Sequence, residues 1–416
     1  ALFCGVLALY FAVFGWLAGY LWGLSWGPGV IALLWVGLEY ARTHLLTGFP
    51  WLLLGYALTD YYPVARLAQW TGVYGLSYLL VALSAGSLWM ILRPGWLATL
   101  HLVAVAGMFL GLSLAAGPAP VAEDQQAYLV QTNIPQTAAF EPWEEQTQRP
   151  LLQRLRDLTL NSLSEAPAPA LLIWPEVPVP FYYGVDSFTR PYAEAIARQS
   201  RSYFLMGIVG FAGPGTGAPP TNSAVLLAPS GDLVSRYDKI HLVPFGEYVP
   251  LRRWLTIVEK VTAQVGDFVP GARRVVNALP GGTMSVLICY EAIFPDLARR
   301  FVRDGAQALV NISNDGWYGS SAARYQHLLM ARMRAIENRR YVLRATNTGI
   351  TAVIRPDGQI GRQLEPDRAA VLPARWGYEK SQTVYTRYGD WFAWLAGTAA
   401  LLALLFRWAG RGGSRS

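Results

Sequence analysis

The feature that most constrains this chain is a set of long apolar segments without acidic or basic side chains. Residues 1–22 and 70–92 contain no Asp, Glu, Lys or Arg, and residues 96–116 contain only His101 as a group that can be charged. Each segment is long enough to cross a bilayer as a helix, which takes about 20 apolar residues. The chain is therefore predicted to be a membrane protein.

Two further apolar segments are predicted to be membrane spans, although their sequences fit a span less well. Residues 27–40 are apolar, but Pro28 stands near the start and Glu39 near the end. Residues 391–406 are slightly short, and the tryptophans and the arginine around them suit anchoring at the membrane surface. We therefore predict five spans. Residues 45–58 have a proline in the middle, and an interfacial or re-entrant segment is expected there.

The composition changes near Pro118 to that of a soluble α/β domain, whose length of about 260 residues suits one large domain. We predict membrane helices over residues 1–117, a globular domain over 118–385, and a closing membrane helix with a basic tail over 386–416. Because the chain begins with Ala1 inside an apolar run, further membrane helices are expected upstream of it.

Arginines near the ends of the spans indicate the orientation in the membrane. Arg93 lies between two spans, and Arg407, Arg411 and Arg415 follow the last one. Positively charged loops stay in the cytoplasm, so the globular domain is expected on the extracytoplasmic side. The net charge of +7 partly reflects these ends, and it does not indicate nucleic-acid binding.

Within the globular part, short apolar runs alternate with segments of helical spacing. The predicted strands are 126–131, 170–174, 203–209, 223–227, 233–237, 284–291, 308–311, 341–346, 351–354 and 359–362, and the predicted helices are 141–163, 188–199, one starting at 295, and 322–338. Residues 210–220 are rich in Gly and Pro and predict a loop. Because the central runs are apolar throughout, we expect a sheet covered by helices.

Cys289 stands near the end of the apolar run 284–291. It is the only cysteine in the sequence of the globular part. Pro295 and Asp296 suit the start of the following helix, and a thiol near helix amides is favoured as thiolate. Cys4 lies within a predicted span and is assigned to packing. Cys289 therefore has no disulfide partner in an oxidising compartment, so it is either buried and inert or used for chemistry.

Two other positions offer partners for this thiol. Glu176 follows a buried strand, and the carboxyl ends of strands border the ligand crevice in open α/β sheets. Lys239 lies in a segment that mixes charged with large apolar residues, and a lysine beside a thiol lowers its pKa and can stabilise an oxyanion. Glu247 follows closely and could orient Lys239. Taken singly, Glu176 and Lys239 are better explained as surface residues.

No set of ligands for a metal or a cofactor is apparent. The four histidines, His44, His101, His241 and His327, lack the spacing of metal ligands, and no second cysteine is close to Cys289. We therefore expect no metal site and no cofactor.

The order Glu176, Lys239, Cys289 resembles the Glu-Lys-Cys triad of the carbon–nitrogen hydrolase (nitrilase) superfamily. Within that superfamily, the chain closely resembles the apolipoprotein N-acyltransferases. The similar segments are 46–51, 133–136, 174–176, 239–247, 288–291, 312–319 and 346–352. The resemblance implies a nitrilase-like α-β-β-α sandwich beside an α-helical transmembrane bundle. The family often has tryptophan where this chain has Phe140.

The resemblance also implies roles for individual residues. Glu176 would act as the base, Cys289 as the nucleophile and Lys239 as the group that stabilises the oxyanion. Supporting or substrate-binding roles are implied for Glu247, Glu291, Tyr290, Trp317 and Phe140.

The implied reaction is a two-step acyl transfer through a thioester on Cys289. The donor would be a phospholipid, with the sn-1 acyl group of phosphatidylethanolamine as the expected source. The acceptor would be the α-amine of the diacylglyceryl-cysteine at the N-terminus of an apolipoprotein. The resemblance implies a multi-pass, monomeric protein of the bacterial inner membrane without a nucleic-acid partner.

Other functions share parts of this pattern. A membrane-anchored amidase or nitrilase would use the same triad and pass the thioester to water. A non-catalytic lipid-binding or scaffold protein would tolerate loss of the triad, which is complete in this chain. A transporter is a weaker alternative, because the predicted spans lack buried ionisable residues.

Overall fold

The computed structural model describes residues 2–116, 122–135, 145–163, 171–178, 182–183, 188–213, 217–249 and 268–412. Over these residues the chain forms a group of apolar helices and a sandwich of two β-sheets with helices packed on it. The predicted combination of a helical membrane bundle with an α-β-β-α sandwich is thereby confirmed.

The apolar part is built from long helices joined by shorter ones. They are α1 (Leu2–Leu21), α2 (Gly27–His44), α3 (Tyr62–Ala65), α4 (Ala68–Thr71), α5 (Val73–Leu92), α6 (Trp96–Ala115) and, after the sandwich, α12 (Trp391–Gly412). Within the described part of the chain, α1, α5, α6 and α12 are long and apolar enough to cross a membrane. They expose large apolar side chains such as Trp16, Ile91 and Leu114, as expected for surfaces that face lipid.

The fifth predicted span, α2, is a helix of 18 residues that contains Glu39 and Arg42 and is not among those four. It packs against α5 and α12. Glu39 is buried, and its Oε1 accepts a hydrogen bond of 2.7 Å from the backbone N–H of Leu54. The expectation that the spans lack buried ionisable residues is therefore wrong at Glu39, and the argument against a transporter loses that support.

Between α2 and α3 the chain forms no helix long enough to cross a membrane, as predicted for residues 45–58. The regular part of this segment is a short 3₁₀-helix, Leu54–Leu58. Gly48 has a φ of 72°, and a Cβ atom there would lie 2.1 Å from the carbonyl oxygen of Thr43. Glycine is required at this turn, which brings the chain back toward the sandwich.

Over the residues that the structure describes, the sandwich contains two six-stranded sheets. Sheet one has the order β12-β1-β2-β3-β4-β5, and sheet two has the order β11-β10-β9-β8-β7-β6. The strands are β1 (Gln125–Gln131), β2 (Leu171–Ile173), β3 (Tyr203–Phe211), β4 (Pro220–Leu227), β5 (Leu233–Asp238), β6 (Asn277–Leu279), β7 (Gly282–Ile288), β8 (Ala308–Ser313), β9 (Val342–Thr346), β10 (Ala352–Ile354), β11 (Ile360–Gln363) and β12 (Ala370–Trp376). The helices are α7 (Glu145–Asn161), α8 (Thr189–Ser200), α9 (Pro295–Arg303), α10 (Ala323–Asn338) and α11 (Val384–Tyr388).

Successive side chains of the central strands point to opposite faces of each sheet. In β1, Ala127 and Leu129 belong to the core that includes sheet two, whereas Tyr128 and Val130 pack with α7 and α8. Helices α9 and α10 pack on sheet two. Both faces of the central strands are therefore buried, which explains their continuous apolar runs.

Most predicted strands and helices are present, with ends shifted by a few residues. Two strands, β6 and β12, were not predicted. β12 alternates buried with exposed residues and contains Pro373, so it lacks an apolar run, and its pairing with β1 stabilises it. The predicted loop 210–220 is shorter than expected, because β3 continues to Phe211 and β4 begins at Pro220.

Helix α10 joins the sandwich to the apolar helices through buried polar groups. Nε of Arg334 lies 3.0 Å from Oε2 of Glu337, and both side chains are fully buried. Glu337 accepts a hydrogen bond of 3.0 Å from the N–H of Val73, at the start of α5. Arg334 donates to the hydroxyl of Tyr56 at 2.9 Å. These contacts set the orientation of the sandwich relative to the membrane helices.

Candidate active site

The predicted nucleophile, Cys289, stands where β7 ends. β7 stops at Ile288, and the 3₁₀-helix Cys289–Ile293 follows at once. Cys289 has a φ of 50°, a left-handed conformation that costs a non-glycine residue about 1–2 kcal/mol. Its side chain is buried, with 5% of the residue exposed. Strained backbone of this kind is concentrated at functional positions.

Burial raises the pKa of Cys289, the charge of Glu176 raises it further, and Lys239 lowers it. The net shift is upward, so the resting thiol is protonated at neutral pH. Burial and Glu176 thus outweigh Lys239, which acts in the direction expected from the sequence. A reaction at this thiol needs a base that takes its proton.

Glu176 lies just beyond β2, and three donors hold its carboxylate. Its Oε1 accepts from Nδ2 of Asn222 at 2.7 Å and lies 3.3 Å from Nζ of Lys239. Its Oε2 accepts from the backbone N–H of Asn314 at 2.8 Å. Glu176 is therefore a buried, oriented carboxylate whose charge acts on Cys289.

Lys239 follows β5, and its side chain is 1% exposed. Its Nζ lies 2.9 Å from Oε1 of Glu247 and 3.3 Å from Oε1 of Glu176. Burial lowers the pKa of Lys239, but the charges of Glu247 and Glu176 outweigh burial, and the net shift is upward. The ammonium group is charged at neutral pH and can stabilise a negative oxygen nearby.

Glu247 connects Lys239 to the rest of the site. Its Oε1 accepts from Lys239 and from Nδ2 of Asn222, the latter at 2.6 Å. Its Oε2 accepts from the N–H of Val243 at 2.7 Å, which closes the loop after Lys239. Asn222 therefore donates to the carboxylates of both Glu176 and Glu247. It was not predicted from the sequence, and the signal that would have revealed it is an amide side chain in an otherwise apolar strand.

Glu291 ties the Lys239 segment to the Cys289 turn. Its Oε2 accepts from the N–H of Ile288 at 2.8 Å. Its Oε1 accepts from the N–H of Ile240 at 2.6 Å and from the hydroxyl of Tyr237 at 2.7 Å. Burial raises the pKa of Glu291 to about 7, although these hydrogen bonds act in the opposite direction. Glu291 therefore orients the backbone on both sides of the site.

The structure gives the remaining predicted residues different surroundings. Tyr290 is buried, with its ring against Phe294 and its hydroxyl 3.5 Å from the carbonyl oxygen of Gly48, so it joins the site to the membrane part. Trp317 is 61% exposed on the turn that follows Asn314. Phe140 lies outside the described residues.

A cavity of about 470 Å³ lies between the end of α2, the segment after Lys239 and the start of α9. Its lining combines apolar groups, such as Leu46 and Phe294, with the polar side chains of His44 and His241. The cavity lies where the membrane part meets the sandwich. In the described ranges, no group of three or more His, Cys, Asp or Glu residues is placed to hold a metal ion.

The fold and the site define the class of this protein. The carbon–nitrogen hydrolase family model matches residues 129–375, which include Glu176, Lys239 and Cys289. A second family model, the apolipoprotein N-acyltransferase N-terminal domain, matches residues 1–86. The sandwich is therefore a carbon–nitrogen hydrolase domain, and the helices before it match those of one branch of that superfamily.

Comparison with individual relatives gives the same assignment. The apolipoprotein N-acyltransferase of Geobacter metallireducens is 40% identical over 391 residues, which cover 90% of this chain and 73% of the relative. Those of Rhodopseudomonas palustris and Nitrosomonas europaea are each 34% identical over 98% of this chain, covering 79% and 81% of the relatives. This chain belongs to the apolipoprotein N-acyltransferase family, and it is a membrane-associated acyltransferase.

Proposed function

We propose that this protein moves an acyl chain from a phospholipid to the N-terminal amine of a lipoprotein through a thioester on Cys289. The sn-1 acyl group of phosphatidylethanolamine is the proposed donor, and a diacylglyceryl-cysteine is the proposed acceptor. The observation that carries this proposal is the buried pair of Glu176 and Lys239, 3.3 Å apart, whose charges both act on Cys289. Both lie in a domain joined to membrane helices.

In the first half-reaction, Glu176 takes the proton from the Cys289 thiol as sulfur attacks the ester carbonyl carbon. A C–S bond forms, and the carbonyl oxygen becomes an oxyanion that Lys239 stabilises. The C–O bond to the glycerol then breaks. The departing alkoxide takes the proton from Glu176, so a lysophospholipid leaves and a thioester remains.

In the second half-reaction, the α-amine of the lipoprotein attacks the thioester carbonyl carbon. A C–N bond forms, and Glu176 takes a proton from the amine. The C–S bond breaks, and the Cys289 sulfur recovers that proton. One ester has then been exchanged for one amide, and the enzyme has returned to its starting state.

The protonated resting state of Cys289 supports this order of events. A standing thiolate would react with other electrophiles, whereas a neutral thiol reacts only when a base is aligned with it. Glu176 is held by three donors in a single position. Lys239 stays charged between Glu176 and Glu247, so it can meet an oxyanion without a change in its own protonation.

The proposed location is the bacterial inner membrane, with a monomeric protein whose sandwich lies on the periplasmic side. Helix α5 begins beside α10, and α12 begins where Trp391 donates to the carbonyl oxygen of Trp70 at 2.8 Å. Both helices run away from the sandwich, so Arg93 and Arg407 lie at their far ends. Because positively charged loops stay in the cytoplasm, the ends that carry these arginines are expected on the cytoplasmic side.

Intact-mass spectrometry of the detergent-solubilised protein tests the proposal, with Cys289→Ala as the matched control. After incubation with phosphatidylethanolamine, the wild type should carry one acyl chain that hydroxylamine removes, and the variant should carry none. A diacylated lipopeptide should then remove the acyl chain and gain its mass. Discharge to water alone would contradict the proposal and indicate an amidase or nitrilase. No adduct with any phospholipid would contradict the proposed donor.

A further inference from the structure

Three polar side chains are buried behind Cys289, and each is at most 1% exposed. Asp315 follows β8, His327 lies on α10 and Arg344 lies on β9. Nη2 of Arg344 donates to Oδ2 of Asp315 at 2.6 Å, and Oδ1 of Asp315 lies 3.1 Å from Nδ1 of His327. Nε2 of His327 lies 3.1 Å from the carbonyl oxygen of Cys289. This chain of hydrogen bonds ends on the backbone of the candidate nucleophile.

The hydrogen-bond acceptor on Cys289 determines which nitrogen of His327 is protonated. A carbonyl oxygen cannot donate, so Nε2 of His327 carries a hydrogen and donates to Cys289. Nδ1 faces the carboxylate of Asp315 and also Nη2 of Arg344, at 3.2 Å. Burial and the charge of Arg344 lower the pKa of His327. The ring is therefore neutral, Nδ1 carries no hydrogen and accepts from Nη2 of Arg344, and Nε2 donates to Cys289.

The carbonyl group of Cys289 shares one planar peptide with the N–H of Tyr290. In a trans peptide these two groups point in opposite directions, so a bond that holds the carbonyl also orients the N–H. The N–H of Tyr290 belongs to the first turn of the 3₁₀-helix Cys289–Ile293, where N–H groups have no acceptor within the helix. A hydrogen bond to the carbonyl also polarises the peptide and strengthens its N–H as a donor.

We propose that His327 is a positioning residue, which aims the N–H of Tyr290 at the oxyanion formed when Cys289 is acylated. Asp315 and Arg344 hold the imidazole ring in place. The hydrogen bond to the carbonyl also explains how Cys289 keeps its left-handed conformation, which persists only where surrounding structure holds it. The inference rests on the proposed acyl chemistry of Cys289, and it gives His327 the role of holding the turn that follows the nucleophile.

A matched pair of variants tests this role. Glutamine can place its side-chain nitrogen near the position of Nε2 and donate to the Cys289 carbonyl, whereas methionine has a similar length and no donor. The rate of thioester formation should be measured in single turnovers for His327→Gln and His327→Met. Alkylation of Cys289 by iodoacetamide should be measured in parallel, because that reaction forms no oxyanion. Thermal unfolding in detergent reports whether each variant folds.

We expect His327→Met to slow thioester formation by about 10- to 100-fold, somewhat less than the loss of a whole oxyanion donor. Its alkylation rate should stay within about twofold of the wild type, since general access to the thiol is unchanged. His327→Gln should recover most of the acylation rate. An equal fall in both rates, or equal acylation by the Gln and Met variants, would overturn the inference.

A second acyl donor allows the role of His327 to be tested even if the proposed function is wrong. A p-nitrophenyl ester of a fatty acid also acylates a thiol through an oxyanion, whatever phospholipid the protein uses. If phosphatidylethanolamine fails as donor, the proposed donor is contradicted, while the ester still reports on His327. Loss of rate with the ester in His327→Met, and recovery in His327→Gln, would support the positioning role. An unchanged rate with the ester in His327→Met would overturn it.

Discussion

Two buried clusters of charged side chains flank Cys289, and they differ in their balance of charge. The front cluster consists of Glu176, Lys239 and Glu247, on segments that follow strands of sheet one. With two carboxylates and one ammonium group, its net charge is −1. The back cluster consists of Asp315, His327 and Arg344, on elements of sheet two and on α10. Its carboxylate and guanidinium cancel.

This difference indicates which cluster can take part in proton transfer. The front cluster offers a carboxylate, Glu176, whose charge acts on Cys289, so it contains a group that can take the thiol proton. In the back cluster, the charge of Arg344 holds the pKa of Asp315 below its usual range despite burial. Asp315 therefore remains a carboxylate, and that cluster can only hold neighbouring groups in position.

Loss of the base should affect the rate and leave the fold almost unchanged. We expect Glu176→Gln to lower the rate of thioester formation by about 10²- to 10⁴-fold, the range for a general base. The amide keeps one acceptor for Lys239 and Asn222, so the free energy of unfolding should fall by only about 1 kcal/mol. Single-turnover mass spectrometry and denaturant unfolding measure the two quantities. Glu194→Gln, in an exposed ion pair on α8, is the control and should change neither.

Loss of charge compensation in the back cluster should strongly affect the fold. Asp315→Asn removes the charge that compensates Arg344 in a fully buried site, so we expect a loss of about 3–5 kcal/mol in the free energy of unfolding. The matched control is Asp304→Asn, whose partly exposed partner is Arg274 and whose effect should stay below about 1 kcal/mol. Equal effects of the two substitutions would break the proposed distinction between the clusters.

The ammonium group of the front cluster should matter mainly for the oxyanion. We expect Lys239→Met to slow thioester formation by about 10²- to 10³-fold, as for the loss of one oxyanion donor. Because Lys239 lowers the pKa of Cys289, its removal should also slow alkylation of the thiol, in contrast to His327→Met. Lys380→Met, at an exposed position, is the control. A wild-type rate of thioester formation in a folded Lys239→Met variant would contradict the proposed role of Lys239.

Glu291 lies between the clusters, and its titration should appear in the pH dependence of stability. Its pKa is about 7 in the folded protein and near 4.5 in the unfolded chain, so between these pH values the folded state binds more protons. Its contribution to the free energy of unfolding is therefore largest below about pH 4.5 and declines as pH rises to about 7, by on the order of 3 kcal/mol. Denaturant unfolding of the wild type and Glu291→Gln at several pH values measures this. A difference independent of pH would contradict it.

Much of the architecture could be predicted from local patterns. The membrane helices follow from uncharged apolar segments, and the central strands follow from apolar runs that are buried on both faces. The alternating edge strand β12 was missed, because its stability depends on pairing with β1 at the other end of the domain. Glu39 was misjudged, because nothing in the sequence shows that a distant N–H, that of Leu54, would meet its carboxylate.

The candidate site was predicted less completely than the fold. Glu176, Lys239 and Cys289 were identified from strand ends and from family resemblance, and their roles stay predictions until the acylation experiments. Asn222 and His327 were missed, because an amide in a strand and a histidine in a helix have no local signal of function. The upward shift of the pKa of Cys289 could not be predicted from local features, since burial is a property of the folded structure and here outweighs the effect of Lys239.

The sequence by itself determined the membrane helices, the alternation of strands and helices, and the chemical groups available for an acyl transfer, because each depends on residue type and short-range spacing. The tertiary structure alone decided which groups share a site, which carboxylate retains an uncompensated charge, and that the thiol rests protonated. These properties depend on distances between segments far apart in the chain and on the exclusion of water. Local patterns contain neither.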